Sequence, residues 1–355
     1  MPFYYGLKAL DSEPRKRAIG GIHELRRGLE AGGVPRRNLS ETLLLATWNI
    51  REFDSATYGE RVPESFYYIA EIVDHFDLVA IQEVREDLRA LKRLQALLGG
   101  WWKYIVTDVT IGKSGNGERL AFLYDSRKVS FSGLAGEVVL PSGRTGPVLQ
   151  FARTPFVCGF KAGWSSFSLC TVHVYYGTSK KDDPRRVTEI QQLAQTLADR
   201  GKADPRRIGE PENLILLGDF NIFDRKDVTF TALTDAGFTI PEALQQVPGS
   251  NVAKNKHYDQ IAFMTRPRRF AATGKAGVFD FFEHVFRSDQ AAEYSKLLEA
   301  TGGEAAGFEK WRTYQMSDHL LMWCEVDIDF SKEYLDDLAR DRDVERPEPA
   351  PGSPD

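Results

Sequence analysis

The sequence predicts an α/β protein built on mixed sheets that are covered on both faces. Two observations predict it. The apolar runs of strand length are nearly continuous rather than alternating, as strands buried on both faces require. Helical segments separate these runs in some places, and elsewhere the runs follow one another directly. The chain has 355 residues, of which 42% are hydrophobic and 27% charged, an ordinary globular balance. A chain of this size buries roughly three quarters of its unfolded surface, in one large domain or two smaller ones.

Residues 1–40 read as an appendage to a main body spanning 41–331. Between Arg15 and Ala31, the residues Ile19, Ile22, Leu25 and Leu29 recur at helical spacing, and Gly32-Gly33 with Pro35 ends the pattern. An amphipathic helix docked on the main body is expected there, with a packing role. From Thr42, TLLLATW is a strand. Glu64 to Phe76 is a helix that gathers Phe66, Ile69, Ala70 and Val73 on one face. LVAI is a strand, and Asp87 to Leu98 a helix. RLAFLYD, SFSLCTVHVYY, NLILLGD, YDQIAFM and HLLMWCEVDI are further strands, and Pro184 opens a helix over Arg185 to Arg200. Residues 110–118, TIGKSGNGE, read as a mobile Gly-rich loop. It lacks GxxxxGK[ST] and precedes a strand, so it is no phosphate-cradling loop. Residues 338–355 are charged and Pro-rich, and disorder is expected.

Bulk features narrow the function. No apolar run reaches the ~18 residues that span a bilayer, and the first residues lack the apolar core of a secretion signal. Cys158, Cys170 and Cys324 match no zinc spacing, and so odd a number argues against a disulfide framework. A reducing, cytoplasmic setting is expected, with no membrane association and no obligate protein partner. The net charge of −5 gives no global basic field, so a polyanionic substrate would need a local basic groove or a bound metal.

The strands carry polar residues at their ends. Asn49, Glu83, His173, Asp219 and Asn221 stand at or just beyond C-terminal ends, whereas Glu118, Asp259, Asp318 and His319 precede strands. Antiparallel pairing sets one strand's end beside the next strand's start, so both groups can converge on one rim. Singly, each has a bland reading: Asp or Asn as a turn former, Glu83 as a helix cap, His as a satisfied polar group. Nine such readings would have to hold together. So much like charge on one rim needs an offsetting cation and paired histidines. Oxygen ligands and retained waters favour Mg²⁺ over zinc, with Mn²⁺ as an alternative. His23, His75 and His284 are read as structural, and His257 is left open by its closeness to Asp259.

TWNIREF, IQEVRED, NGERLAFLYD, TVHVYYG, GDFN, YDQI and SDH stand in the order of the endonuclease/exonuclease/phosphatase superfamily. From about Thr42 to Asp329 the chain resembles its deoxyribonuclease-I-like branch, through NIR at Asn49, EVR at Glu83 and ER at Glu118. The resemblance implies a four-layer α/β/β/α sandwich and Mg²⁺-dependent phosphodiester hydrolysis. It implies that Glu83, Asn49 and Asp318 hold the metal and that Asp219 and Asn221 complete the metal and phosphate site. It further implies His319, oriented by Asp259, as general base and His173, oriented by Glu118, as general acid. Which histidine plays which part, and one metal or two, the resemblance leaves open. Arg153, in FARTPF, resembles an arginine that touches phosphate, and Arg51 and Arg85 are candidate substrate contacts.

There are departures. Members of the pancreatic type are secreted and disulfide-bonded, and they carry a sugar-packing tyrosine where this chain has Asn116. That weakens duplex preference more than it weakens the chemistry. The leading expectation is a DNA endonuclease of low sequence specificity acting by in-line water attack. The rivals are a phosphatase or phosphodiesterase acting on inositol, lipid or other small phosphate esters, and an inactive nucleic-acid-binding scaffold.

Overall fold

The computed structural model describes residues 1–53, 55, 59–110, 116–140, 150–202, 213–265, 270–300 and 307–340. In chain order the strands are β1 Thr42–Phe53, β2 Leu78–Arg85, β3 Trp102–Val106, β4 Glu118–Asp125, β5 Ser130–Glu137, β6 Phe156–Ala162, β7 Ser165–His173, β8 Leu214–Asp219, β9 Asp259–Met264, β10 Ala271–Phe279 and β11 Leu321–Asp327. They form a six-stranded sheet, β10-β11-β1-β2-β4-β3, and a five-stranded sheet, β5-β6-β7-β8-β9. Both are mixed: β1 runs parallel to β2, and β7 parallel to β8, while their other neighbours are antiparallel. The helices are α1 Ser12–Ala31, α2 Pro63–Val73, α3 Arg89–Leu98, α4 Pro184–Lys202, α5 Val228–Thr234, α6 Glu242–Gln245, α7 Ser295–Ala300, α8 Gly307–Gln315 and α9 Ser331–Ala339. The result is the expected four-layer α/β/β/α sandwich.

The parity of β1 shows why its strand is apolar on both faces. Leu43 and Leu45 pack between the sheets with Leu78, Ala80, Phe122, Phe167 and Leu169. Leu44, Ala46, Trp48 and Ile50 face outward into a second core with α1, α2 and α3. Successive side chains point to opposite faces, so Asn49 continues the inner set begun by Leu43.

The first helix packs against α2, and its buried face differs from the periodic set at one position. Ala18, Ile22, Leu25 and Leu29 are buried, whereas Ile19 is 41% exposed. Ala18 lies one turn before Ile22 and takes the place expected for Ile19. Two ion pairs reinforce the contact with α2: Arg17 with Glu64 at 2.9 Å and Arg26 with Glu71 at 2.6 Å, both carboxylates being buried.

Four strands were not foreseen. β3 is short, β5 is exposed along its whole length, and β6 and β10 are interrupted by glycine or polar residues. Edge position explains β3, β5 and β10, since an edge strand need not be apolar on both faces. At the C-terminus, α9 carries ordered chain past Leu338 to Ala339, with Trp164 against Phe330 and Tyr334. The rest of the tail, 341–355, and most of the Gly-rich loop, 111–115, lie outside the described residues. No helix among the described residues is long and apolar enough to cross a membrane. All three cysteines are free and buried.

Candidate active site

The polar residues gather where the two sheets share a rim, and strand register aligns them. His173 is the register partner of Asp219 across the parallel β7–β8 pair, and Asp219 that of Asp259 across the antiparallel β8–β9 pair. Facing them from the other sheet stand Asn49 on β1, Glu83 on β2 and Glu118 at the start of β4.

Two of these residues are set inside strands, at bulges, rather than at strand ends. Between Ile81 and Val84 the β2–β4 register slips, and Glu83 takes a φ of 61°. The bulge changes the strand's parity. Ile81 and Val84 both face the outer core, while Gln82 bonds inward to Thr47 and Thr171. Without the extra residue, Glu83 would follow Val79 and Ile81 to the helix side. With it, the carboxylate meets Asn49. The β1–β2 register slips likewise between Asn49 and Phe53, where Glu52 has a φ of 49°. Asn221 also lies in the left-handed region, at 54°. Non-glycine residues held there store strain that the surrounding bonds must offset. Gly218, before Asp219, has a φ of 134°, and a Cβ there would lie 2.2 Å from the Val172 carbonyl oxygen, so only glycine fits.

The centre is a hydrogen-bonded network. The Asn49 amide donates to Glu83 Oε1 at 3.1 Å and to Asp219 Oδ2 at 3.0 Å. The Glu52 backbone N–H donates to Glu83 Oε2 at 2.7 Å. Asn221 donates its backbone N–H to Asp219 Oδ1 at 2.9 Å and its side-chain amide to the Val174 carbonyl at 2.9 Å. Each histidine has a carboxylate behind it: His173 Nδ1 lies 2.9 Å from Glu118 Oε2, and His319 Nδ1 lies 2.8 Å from Asp259 Oδ2. The opposite ring nitrogens, Nε2, both turn to Asp219 Oδ2, at 3.5 Å from His173 and 3.7 Å from His319.

Burial makes these charges interact strongly. Desolvation and Arg153 oppose a charged His173, yet Glu118 and Asp219 outweigh them and raise its pKa. Burial works against an ionised Glu118, but His173 and Arg153 hold its carboxyl down at about 2. For His319, burial is overcome by Asp259 and Asp219, and the imidazole is held well above its usual value. Burial pushes Glu83 up, and Glu118 and Asp318 add to the effect. The rim is therefore short of positive charge.

The donor set fits a divalent cation. Asn49 Oδ1 is buried and has no hydrogen-bond partner, because the amide nitrogen makes both of its side-chain bonds. An orphaned acceptor among carboxylates is what an oxygen-ligated cation would satisfy. Glu83, Glu118 and His173 form one group with ligand atoms within 4.8 Å of one another, and Asp219, Asp259 and His319 form another. Asp318 sits at the mouth, 44% exposed at its side chain.

Of the expected substrate-binding residues, the three arginines have partners within the protein. Arg153 is buried and grips Glu118 with two bonds, Nε to Oε2 at 2.7 Å and Nη2 to Oε1 at 3.1 Å. Arg51 donates to Thr313 Oγ1 at 2.6 Å and to the Tyr314 hydroxyl at 3.0 Å on α8, and stands 3.6 Å from Asp318. Arg85 reaches Glu52 at 3.3 Å and the carbonyl of Asn116 at 3.2 Å. Asn116 itself is exposed, with a φ of 55°. His257 is half-buried and its Nδ1 has no partner.

Sequence reasoning missed three supports. Ser317 Oγ donates to the Asn49 carbonyl at 2.6 Å and accepts from the backbone N–H groups of Arg51 and His319, tying β1 to the histidine. Ser250 Oγ accepts the Asp259 N–H at 3.0 Å. The Tyr258 ring packs 5.4 Å from the His319 ring at 32°. Ser317 and Tyr258 each had a signal, as the first letters of SDH and YDQI.

Comparison with known proteins agrees with this geometry. The endonuclease/exonuclease/phosphatase family profile matches residues 46–319. No sequence match to a curated protein was found. Among solved structures, an endonuclease/exonuclease/phosphatase from Bacteroides vulgatus aligns with a TM-score of 0.53 at 16% identity, over 81% of this chain and 99% of its own. The human Nocturnin catalytic domain aligns with a TM-score of 0.53 at 15% identity, over 80% of this chain and 94% of its own. TDP2 from D. rerio, solved with a single-strand DNA product, aligns with a TM-score of 0.51 at 13% identity, over 80% of this chain and 98% of its own. At such identities the structures speak for the fold, while the profile spans most of the chain and the whole of the rim from Asn49 to His319. The chain belongs to the endonuclease/exonuclease/phosphatase family, whose members hydrolyse phosphate esters.

Proposed function

We propose that this chain is a Mg²⁺-dependent phosphodiesterase that cuts nucleic acid, with DNA the favoured substrate. The observation that carries the reading is the convergence of two buried His–carboxylate pairs on Asp219, beside the orphaned oxygen of Asn49. Glu83, Asn49 and Asp318 would hold the cation. When bound, Mg²⁺ offsets the charge that gathers on the nonbridging phosphate oxygens. His319, its Nδ1 fixed by Asp259, takes the proton of the attacking water at Nε2. His173, fixed by Glu118, gives its proton to the leaving oxygen. A base has to start neutral; Asp259 and Asp219 raise the pKa of His319, and a cation held at the rim would oppose that shift. Asn221, braced by Asp219 and Val174, keeps the strained turn at the centre in place.

The DNA reading is supported by NIR, EVR and ER at Asn49, Glu83 and Glu118, and by the DNA product bound to the TDP2 relative. Buried free cysteines accord with a cytoplasmic setting. The test is a substrate panel of supercoiled plasmid, single-stranded DNA, RNA, inositol phosphates and sphingomyelin, each with Mg²⁺ or EDTA. Metal-dependent cleavage of DNA is expected. Turnover of the small or lipid phosphates alone would replace this reading with a phosphatase.

A further inference from the structure

Arg51, Arg85 and Arg153 each have partners within the protein, and a further surface beside the site bears on what the substrate meets. An aromatic wall stands next to His319. Tyr258 packs 5.4 Å from the imidazole, Phe223 lies 5.5 Å from Tyr258, and Tyr176 lies 6.0 Å from Phe223 and 6.5 Å from Tyr258. Phe223 is buried, but Tyr176 at the end of the row is 42% exposed. Cations border the wall: Lys256 Nζ sits 4.4 Å above the Phe223 ring, and on the loop that follows Tyr176 Lys180 is exposed, while Lys181, also exposed, pairs with Asp227 at 3.2 Å.

That loop is built to hold Tyr176 still. Arg186 is fully buried; it lies 4.6 Å over Phe223 and donates to the carbonyls of Tyr176, at 2.6 Å, and Lys180. Asp183 accepts from the Thr178 N–H at 3.2 Å, from the Thr178 hydroxyl at 3.0 Å and from the Arg185 N–H at 3.1 Å. Gly177 has a φ of 67°, and a Cβ there would lie 2.6 Å from Asp183 Oδ2, so the turn closes tightly against that carboxylate. A large ring that is both exposed and fixed costs little entropy to use as a contact.

We infer that Tyr176, at the end of the Phe223–Tyr258 wall, is a stacking platform for an unpaired nucleobase next to the scissile phosphate. This rests on the nucleic-acid reading above and narrows it. A base inside a duplex has both faces covered by its neighbours, so only an unstacked base can lie on a protein ring. The bordering lysines match the phosphates on either side of that base. The substrate class is therefore single-stranded nucleic acid, or an unpaired end, rather than intact duplex.

The test compares wild type, Tyr176→Ala and Tyr176→Trp in Mg²⁺. The substrates are a single-stranded DNA oligonucleotide, the same strand annealed to its complement, and ethyl p-nitrophenyl phosphate as a small diester. Wild type is expected to prefer the single strand. Tyr176→Ala should raise KM for the single strand about tenfold, with kcat within about twofold, and Tyr176→Trp should restore it. The small diester should be insensitive to both changes. An unchanged KM in Tyr176→Ala, an equal loss on every substrate, or a wild-type preference for duplex would each overturn the inference while leaving the nuclease reading intact. Wild-type turnover of the small diester with no cleavage of either DNA would instead overturn the nuclease reading and this inference with it.

Discussion

Asp259 Oδ2 lies 2.8 Å from Nδ1 of His319, and the other nitrogen of that ring lies 3.7 Å from Asp219. The first contact fixes the ring's tautomer and leaves Nε2 to face the centre. Asp259→Asn keeps the shape but offers the ring a different partner. It should lower kcat by about 10²–10⁴-fold with a small effect on KM and on the melting temperature. Steady-state kinetics beside thermal denaturation checks this. A wild-type kcat would remove Asp259 from the chemistry.

Arg153 is expected to act on Glu118 rather than on phosphate. Removing it in Arg153→Met leaves Glu118 buried with His173 as its remaining partner, and breaking a buried ion pair costs about 3–5 kcal/mol. Urea denaturation should register a loss toward the low end of that range, together with reduced kcat. The double change Arg153→Met with Glu118→Gln should recover part of the stability but not the activity. A variant with full stability and a raised KM alone would return Arg153 to a phosphate contact.

The first helix should matter for stability and not for turnover. Leu25 is fully buried in the core that α1 shares with α2 and β1. Leu25→Ala should cost about 2–5 kcal/mol by denaturant unfolding, with kcat of the folded enzyme unchanged. A selective loss of substrate binding would contradict a packing role for residues 1–40.

Acid should loosen the sheet end opposite the site. Burial opposes an ionised Asp125, but Arg127 and Arg37 outweigh it and hold the carboxyl far below its usual range. A carboxyl whose folded pKa is depressed contributes stability that is complete above its unfolded value, about 3.9 for aspartate, and that fades as pH falls below it toward the folded value. Asp125→Asn should lower stability at neutral pH and flatten the decline below about pH 4. Urea midpoints measured from pH 7 down to pH 3 test this, and parallel curves for both proteins would refute it.

Much of this was legible because buried strands leave long apolar runs and the polar residues that interrupt them are conspicuous. Asn49, His173, Asp219 and Asp259 stand out in that way, and the order of motifs gave the sandwich. What was not legible depends on contacts distant in sequence. Glu83 turns inward only through a bulge at a φ of 61°, and nothing in IQEVR announces it. Arg153 finds Glu118 across 35 residues, a pairing set by how β4 and the chain before β6 meet. β5, SFSGLAGE, carries no strand signal because an exposed edge imposes no apolar pattern. Ile19 faces solvent because packing against α2 selected Ala18 in its place.

The central claim is that the rim joining Asn49, Glu83, His173, Asp219 and His319 hydrolyses a phosphodiester with the help of a divalent cation. The most direct measurement is cleavage of an end-labelled single-stranded DNA by wild type, His319→Ala and His173→Ala, each in Mg²⁺ and in EDTA. Wild type should cut only in Mg²⁺, and each variant should be slower by about 10²–10⁴-fold while its melting temperature stays near that of wild type. Wild-type rates in both variants, or equal wild-type cleavage in EDTA, would contradict the account.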